Sequence, residues 1–313
     1  MPSRLIIAFA GLCASVILDA SCGCAAEPKK TDPTPAKKPV VPYETARDQP
    51  LEAKQEIVNK ADNHIQYRVE FNGIKKDRVP GYLYLPNRKP GDKPPPAVLM
   101  QYGSGGNKTS NYIVAVGKQF VARGYAVLTI DSIDTGERRG KNGKSPVLGL
   151  LSAEQIMHYC GDYSRAVDFL ASHAEIDKDR LGFVGISWGA ITGITFVAYD
   201  ERVKVMGSMV AGGNFLGLYS KKLAEKVARD GSKSSDPVYH VARIAPRPLL
   251  FINVTKDQMI LKSWAESLHE AAGPSSKVVW LDCDHYFNGV DRAGVCESVI
   301  EFMDKELAGK RPK

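Results

Sequence analysis

The chain has 313 residues, 43% of them apolar and 25% charged, and its formal net charge is +7 at pH 7. This composition is typical of a globular protein with a sizeable core, and it excludes a fibrous or wholly disordered chain. The positive charge is mild and spread along the chain, so it indicates a solvated surface and argues against a nucleic-acid binding site.

The N-terminal segment has the features of an export signal. Arg4 precedes an unbroken stretch of apolar or small residues, 5–18, which is too short to span a bilayer comfortably. We therefore predict a signal peptide over residues 1–24 and an exported protein, periplasmic or extracellular. The next motif, "DASC", approaches a lipoprotein signal, although its aspartate stands where an aliphatic residue is expected. Membrane attachment through a lipidated Cys22 is therefore left open.

The rest of the chain, residues 45–313, is expected to form one domain of alternating strands and helices. It follows residues 25–44, whose high proline and lysine content favours an extended tether. Continuous apolar strands alternating with periodic helices indicate a mostly parallel sheet covered by helices on both faces. The predicted strands are two within 69–86, then 97–103, 125–131, 181–186, 203–210, 248–254 and 277–283, and the predicted helices are 110–124, 152–173, 190–199, 260–272 and one ending near 307.

One segment interrupts this alternation. Residues 212–236 separate two predicted strands and have no strand pattern of their own. In an open parallel sheet, ligands bind beyond the carboxyl ends of the strands, and an insertion there can cover the site. This segment is therefore a candidate lid.

The residues "GISWG" place a serine between two glycines, after a predicted strand and before a predicted helix. In this context the pattern G-x-S-x-G predicts a nucleophile elbow, because the turn is so sharp that a Cβ at Gly185 or Gly189 would clash. The alternative interpretation is a tight turn in which Ser187 only caps the helix.

A serine nucleophile needs a histidine base and a carboxylate that orients the histidine. Asp257 follows one predicted strand downstream of the serine and His285 follows the last strand, which is the chain order expected for this motif. The two aspartates that flank this histidine are too close in sequence to turn back onto it. His269 lies in the middle of a predicted helix, where we expect a helix-surface histidine. The sequence therefore predicts Ser187, Asp257 and His285 as the catalytic residues.

Ester or amide hydrolysis also requires donors for the oxyanion that forms on the substrate. One is expected to be the backbone amide of Trp188, directly after the serine. The other is expected from the glycine-rich loop "QYGSGGNK", where Tyr102, Gly103 and Ser104 are left open as donors. A phosphate-binding loop is excluded there, because two of its required glycines are absent. The aromatic side chains that are candidates to line an acyl or alcohol pocket are Tyr102, Trp188, Tyr286 and Phe287.

Taken together, "GYLYLP", "QYGSGGNK", "GISWGA", "TKDQ" and "CDHYF" make residues 65–307 resemble the α/β-hydrolase superfamily. Within it, the chain looks like the dienelactone-hydrolase-like and acetyl-xylan-esterase-like groups. The resemblance implies an α/β-hydrolase fold and hydrolysis of carboxylic esters through an acyl-enzyme on Ser187, with a small-molecule or carbohydrate ester as substrate. Dienelactone hydrolases proper have cysteine where this chain has Ser187, which favours ester over lactone chemistry. A serine peptidase of the prolyl-oligopeptidase kind and a non-catalytic binding protein on the same fold are the alternatives.

Three further expectations concern residues outside the predicted catalytic set. The segment "DTGER" resembles a loop of the same superfamily, and its Asp134, Glu137 and Arg138 are expected to form structural ion pairs. Cys283 and Cys296 bracket the predicted base, so a disulfide and two buried thiols are both left open. Because the chain has no C-x-x-C pair and the proposed chemistry needs none, neither a metal nor an organic cofactor is expected.

Overall fold

The computed structural model describes residues 41–140, 153–215 and 235–308. The predicted signal, most of the predicted tether and most of the candidate lid lie outside these ranges. The folded domain begins slightly earlier than expected, because Tyr43 is buried and its hydroxyl donates a 2.9 Å hydrogen bond to the carbonyl of Phe196. Within the described ranges, no helix is long and apolar enough to cross a membrane.

In the described part of the chain, nine strands form the central sheet, in the order β1-β2-β3-β5-β4-β6-β7-β8-β9. The first three strands and the contact between β3 and β5 are antiparallel, and the remaining contacts are parallel. The predicted parallel sheet is therefore confirmed, and it carries an antiparallel extension at one side. The strands are β1 Lys54–Lys60, β2 His64–Asn72, β3 Arg78–Pro86, β4 Ala97–Gln101, β5 Ala126–Ile130, β6 Leu181–Ile186, β7 Val203–Met209, β8 Leu249–Val254 and β9 Ser276–Leu281.

Helices cover both faces of this sheet, as the sequence predicts. Successive side chains of a strand point to opposite faces, and accordingly Leu99 of β4 belongs to one apolar layer while Val98 and Met100 belong to the other. The first layer is completed by α2, α3 and α4 and the second by α1 and α5. The helices are α1 Asn111–Ala122, α2 Ala153–Ser172, α3 Trp188–Val197, α4 Lys262–Ala272 and α5 Arg292–Ala308.

The cysteines of the described chain, Cys160, Cys283 and Cys296, are all free and buried. The disulfide that the sequence left open between Cys283 and Cys296 is therefore not formed. Both side chains pack in the apolar layer that α1 and α5 cover, where a thiol behaves as a small apolar group. Burial raises the pKa of the Cys296 thiol to about 12, so this thiol stays protonated at neutral pH.

Candidate active site

Ser187 lies at a sharp turn between β6 and α3. Its backbone has φ +53° and ψ −116°, a region that a non-glycine residue occupies only under strain. A Cβ on Gly185 would come within 2.5 Å of Ala190, and one on Gly189 would come within 2.6 Å of the Gln101 carbonyl oxygen. Both glycines are therefore required by close backbone contacts, as an elbow demands.

His285 connects the serine to the predicted acid. Its Nε2 lies 3.0 Å from Ser187 Oγ, and its Nδ1 lies 2.7 Å from Asp257 Oδ2. Because the carboxylate accepts from Nδ1–H, the neutral ring leaves Nε2 free to accept the serine proton. The structure therefore brings the three predicted side chains into one hydrogen-bonded array.

Backbone contacts between two loops hold this array in place. The loop after β8 carries Asp257 and the loop after β9 carries His285, and the Lys256 amide donates to the Cys283 carbonyl between them at 3.1 Å. The second oxygen of Asp257, Oδ1, accepts from the amides of Met259 and Ile260, each at 2.8 Å. The carboxylate side chain is only 3% exposed, so its orientation is set by the protein and not by water.

The neighbouring carboxylates make other contacts. Asp282 binds Thr255 and Lys256, while Asp284 accepts from Asn288 within its own loop. Neither contact involves the imidazole of His285, in agreement with the sequence argument.

The expectation for His269 is wrong in part. It lies on α4, but its ring packs against Phe251 and Trp280, and its Nε2 lies 3.0 Å from Oδ1 of the buried Asn253. Burial lowers the pKa of His269 to about 4. It is therefore a structural histidine between helix and sheet, and a mid-helix position alone could not show which face carries it.

The four predicted oxyanion donors have different environments. Trp188 is the first residue of α3. The first amides of a helix have no carbonyl acceptor within that helix, so the Trp188 amide is free of an intrahelical hydrogen bond. Gly103 packs directly on the nucleophile, since a Cβ there would lie 3.2 Å from Ser187 Cβ. Ser104 is exposed beside it. The Tyr102 side chain is buried away from the serine, with its hydroxyl 2.6 Å from Thr135 Oγ1.

Sequence reasoning missed a fifth residue at this position. The Gly103 amide donates to the hydroxyl of Tyr112, on α1, at 2.9 Å. This hydroxyl therefore lies between the glycine-rich loop and the open site. Burial raises the pKa of the Tyr112 phenol, so the hydroxyl keeps its proton at neutral pH and can donate it. The only signal in the sequence is a tyrosine in the first turn of a helix, which is too common to indicate a role.

Ion pairs fix the loop that carries Gly103. Lys108 is buried, and its Nζ lies 2.6 Å from both Asp131 Oδ2 and Glu137 Oε1. The hydrogen bond from Lys108 is the main reason that the pKa of Glu137 is lowered. The expected structural role of Glu137 is therefore confirmed, and Lys108 has a structural role as well. Asp134, by contrast, accepts a long 3.5 Å contact from Gln155.

Arg138 occupies a separate cluster of titratable groups. Asp77, His158 and Asp162 lie close enough together to bind a metal ion. The guanidinium of Arg138 contacts both carboxylates, with Nη1 2.7 Å from Asp162 Oδ2. Because this buried cation already contacts both carboxylates, we assign no metal to the cluster, and Arg138 forms the structural ion pairs that the sequence predicted.

A cavity of about 330 Å³ opens over Ser187 and His285. It is mainly apolar, which suits the body of a small organic substrate. Of the aromatic residues proposed from the sequence, Tyr286 and Phe287 line it, whereas the Trp188 side chain is buried against Tyr159. The other lining residues are Gly103, Ser104, Tyr112, Val116, Ile186, Met209, Met259, Arg292, Val295 and Cys296.

The sheet order, the elbow and the Ser187–His285–Asp257 array define an α/β-hydrolase fold. The chain belongs to the X-Pro dipeptidyl-peptidase (S15) family, whose sequence profile matches residues 73–270.

Two curated relatives each match less than half of this chain, at low sequence identity. The chain is 29% identical over 150 residues to YtaP of Bacillus subtilis (strain 168), a match that covers 44% of this chain and 49% of YtaP. It is also 29% identical over 142 residues to the thiohydrolase aneE of Aspergillus aculeatus, covering 45% of this chain and 40% of that protein. The chain thus spans about half the length, or less, of these curated relatives.

Solved structures share the fold at low sequence identity. The acetyl xylan esterase from Paenibacillus sp. R4 has a TM-score of 0.65 at 17% identity, covering 86% of this chain and 97% of the esterase. A cold-adapted esterase from an Arctic intertidal metagenomic library has a TM-score of 0.61 at 20% identity, and the match covers 82% of this chain and 99% of that esterase. The predicted α/β-hydrolase fold is therefore confirmed.

Proposed function

We propose that this protein is a serine hydrolase that cleaves carboxylic esters through an acyl-enzyme on Ser187. The observation that carries the proposal is the continuous hydrogen-bonded array from Ser187 Oγ through His285 to Asp257, beneath an apolar cavity. The esterases among the structural neighbours support the choice of ester substrates.

In the proposed mechanism, Ser187 Oγ attacks the ester carbonyl carbon as its proton passes to Nε2 of His285. Asp257 keeps the ring oriented and stabilises the imidazolium. Collapse of the tetrahedral intermediate breaks the bond to the alcohol, which leaves with that proton. Water then loses a proton to His285 and attacks the acyl carbon, and collapse of the second tetrahedral intermediate breaks the bond to Ser187 Oγ. His285 returns the proton to that oxygen as the acid leaves, which regenerates free Ser187 and neutral His285.

The oxyanion that forms in each step needs two donors. We propose the Trp188 amide as one and the Tyr112 hydroxyl as the other. The Gly103 amide is engaged by the phenol oxygen, and this bond orients the hydroxyl so that its own proton is available to the cavity. The phenol thus replaces the loop amide as the group that faces the substrate.

We expect Tyr112→Phe to lower kcat about a hundredfold with little change in KM, because the lost donor acts on the transition state. Steady-state kinetics on a short-chain ester measures both constants. The control is Tyr286→Phe, which removes a hydroxyl from another lining residue of the same cavity, one that contacts Met259 and makes no hydrogen bond to Gly103. Unchanged or faster turnover in Tyr112→Phe would instead make the freed Gly103 amide the donor.

The family match supports a second candidate, an X-Pro dipeptidyl peptidase. Such an enzyme must accept the positively charged N-terminus of a peptide close to the bond it cleaves. Among the described lining residues the cavity has no carboxylate, and Arg292 places a positive charge there. This electrostatic environment opposes an ammonium group, so ester hydrolysis is the better supported function.

The ester hydrolase and the peptidase are expected to differ most in their activity on an amide substrate. We expect the purified protein to hydrolyse 4-nitrophenyl butyrate and to cleave Ala-Pro-4-nitroanilide with a kcat/KM at least about a hundredfold lower. Release of nitrophenol and nitroaniline is followed by absorbance. Comparable efficiencies on the two substrates would favour the peptidase, and activity on neither would favour a non-catalytic binding protein.

We also propose that the protein acts after export, on small-molecule or carbohydrate esters, and that Cys22 is a candidate for lipid attachment. The support is the apolar N-terminal segment of the sequence together with the acetyl xylan esterase among its structural neighbours. Localisation of the full chain by cell fractionation tests this proposal.

A further inference from the structure

One charged side chain lies in the wall of the substrate cavity. Arg292 is the first residue of α5, and Val295 and Cys296 follow it one turn later on the same helix face. All three line the cavity over Ser187. The first turn of α5 therefore presents an apolar wall that ends in a guanidinium at the exposed rim.

The loop that carries the catalytic histidine holds this guanidinium in place. Arg292 Nε donates to the Phe287 carbonyl at 3.2 Å, and Nη2 donates to Asn288 Oδ1 at 2.6 Å. Both acceptors are neutral, so they orient the side chain without neutralising it. In the part of the chain that the structure describes, no acceptor is bonded to Nη1, which remains available to a ligand.

The nearest acids in the same loop are used elsewhere. Asp284 accepts from the amide and side chain of Asn288, contacts that lower its pKa more than the charge of Arg292 does. Asp291 accepts from the Ala293 amide. No carboxylate of the described chain forms an ion pair with Arg292, and the cavity lining, as far as it is described, contains no acid.

We propose that Arg292 selects esters that carry a carboxylate separated from the ester bond by a short apolar segment. This inference rests on the proposed ester hydrolase function. A guanidinium binds a carboxylate through paired N–H donors, and this interaction is stronger next to apolar walls than in bulk water. The apolar segment packs on Val295 and its neighbours while the ester carbonyl reaches Ser187.

Two matched substrate pairs test the inference, one for each side of the ester. Monoethyl adipate is compared with ethyl hexanoate, and 6-acetoxyhexanoate with hexyl acetate, by chromatography of the acid or alcohol released. The quantity measured is the ratio of kcat/KM for the anionic ester to that for the neutral ester. In each pair the intrinsic reactivities cancel when the ratio of a variant is divided by that of the parent protein.

We expect Arg292→Gln to lower this ratio about tenfold in at least one pair, and Arg292→Lys to lower it less, since lysine keeps the charge but loses the paired donors. Lys305→Gln is the matched control, because it removes the same charge from an exposed position near the other end of α5. Its ratio should equal that of the parent protein. Raising the salt concentration should lower the ratio in the parent protein more than in Arg292→Gln.

The inference is overturned if both ratios stay unchanged in Arg292→Gln, or if Lys305→Gln lowers them equally, while the parent protein still hydrolyses the neutral esters. If a fluorophosphonate labels Ser187 but the parent protein hydrolyses none of the four esters, the inference fails while the assignment of Ser187 as nucleophile stands. If Ser187 is not labelled and no ester is hydrolysed, the proposed function fails and the inference fails with it. The labelling experiment therefore separates the two failures.

Discussion

Ser187→Ala is expected to lower ester hydrolysis by on the order of 10⁶-fold, because a serine nucleophile and its base act as one unit. The change removes only Oγ, the atom that lies 3.0 Å from His285 Nε2. It should equally abolish covalent labelling by a fluorophosphonate. Turnover of a chromogenic ester and mass analysis of the labelled protein measure the two losses separately.

The fold should survive this substitution. The strained turn is held by backbone contacts that alanine keeps, including the 2.8 Å bond from the residue 187 amide to the Met209 carbonyl. We therefore expect the thermal unfolding midpoint to stay within a few degrees of the parent value, which corresponds to a change of about 1 kcal/mol or less. A loss of activity that came from unfolding would shift this midpoint strongly.

Ser104→Ala is the matched control for the labelling, because it removes another hydroxyl from the same cavity. That variant should still be labelled at Ser187. If Ser187→Ala were labelled and Ser104→Ala were not, the nucleophile would be assigned to the wrong serine.

The site could be predicted from the sequence where it depends on local geometry. The two glycines of the elbow leave no room for a Cβ, so the turn is encoded within five residues. Asp257 and His285 could be placed because each follows a buried apolar strand, and parallel strands bring their carboxyl ends to one edge of the sheet. Because the acid and then the histidine must follow the serine in the chain, few other residues could serve as the acid or the base.

Contacts between distant segments could not be predicted in the same way. Tyr112 reaches Gly103 across the start of α1, and Arg292 reaches the cavity only because α5 begins beside the histidine loop. Arg138 pairs with Asp162 of α2, a contact that depends on how that helix packs. Residue type and spacing alone cannot indicate such pairings.

Strand β1 was missed for a different reason. All seven of its side chains are exposed, so the sequence "KQEIVNK" has neither an apolar run nor a regular alternation. The strand exists because its backbone pairs with β2 at the edge of the sheet. Edge pairing of this kind depends on main-chain groups, which every sequence supplies.

His285→Ala is expected to reduce kcat by a factor that approaches the loss in Ser187→Ala, since Ser187 then has no base and Asp257 has no imidazole to orient. The double variant with Ser187→Ala should be little worse than either single variant. Steady-state turnover of one ester by all three proteins gives these ratios directly.

His269→Ala is the informative control, because it removes the other histidine that follows Asp257 in the chain. It leaves Oδ1 of the buried Asn253 without its bond from the ring, at a cost of about 1–3 kcal/mol in the free energy of unfolding. Turnover per folded molecule, corrected by active-site titration, should stay close to that of the parent protein. We thus expect the loss of His285 to lower kcat and the loss of His269 to lower the free energy of unfolding. Comparable losses of kcat in both variants would contradict the assignment of His285 as the base and require another arrangement of acid and base around Ser187.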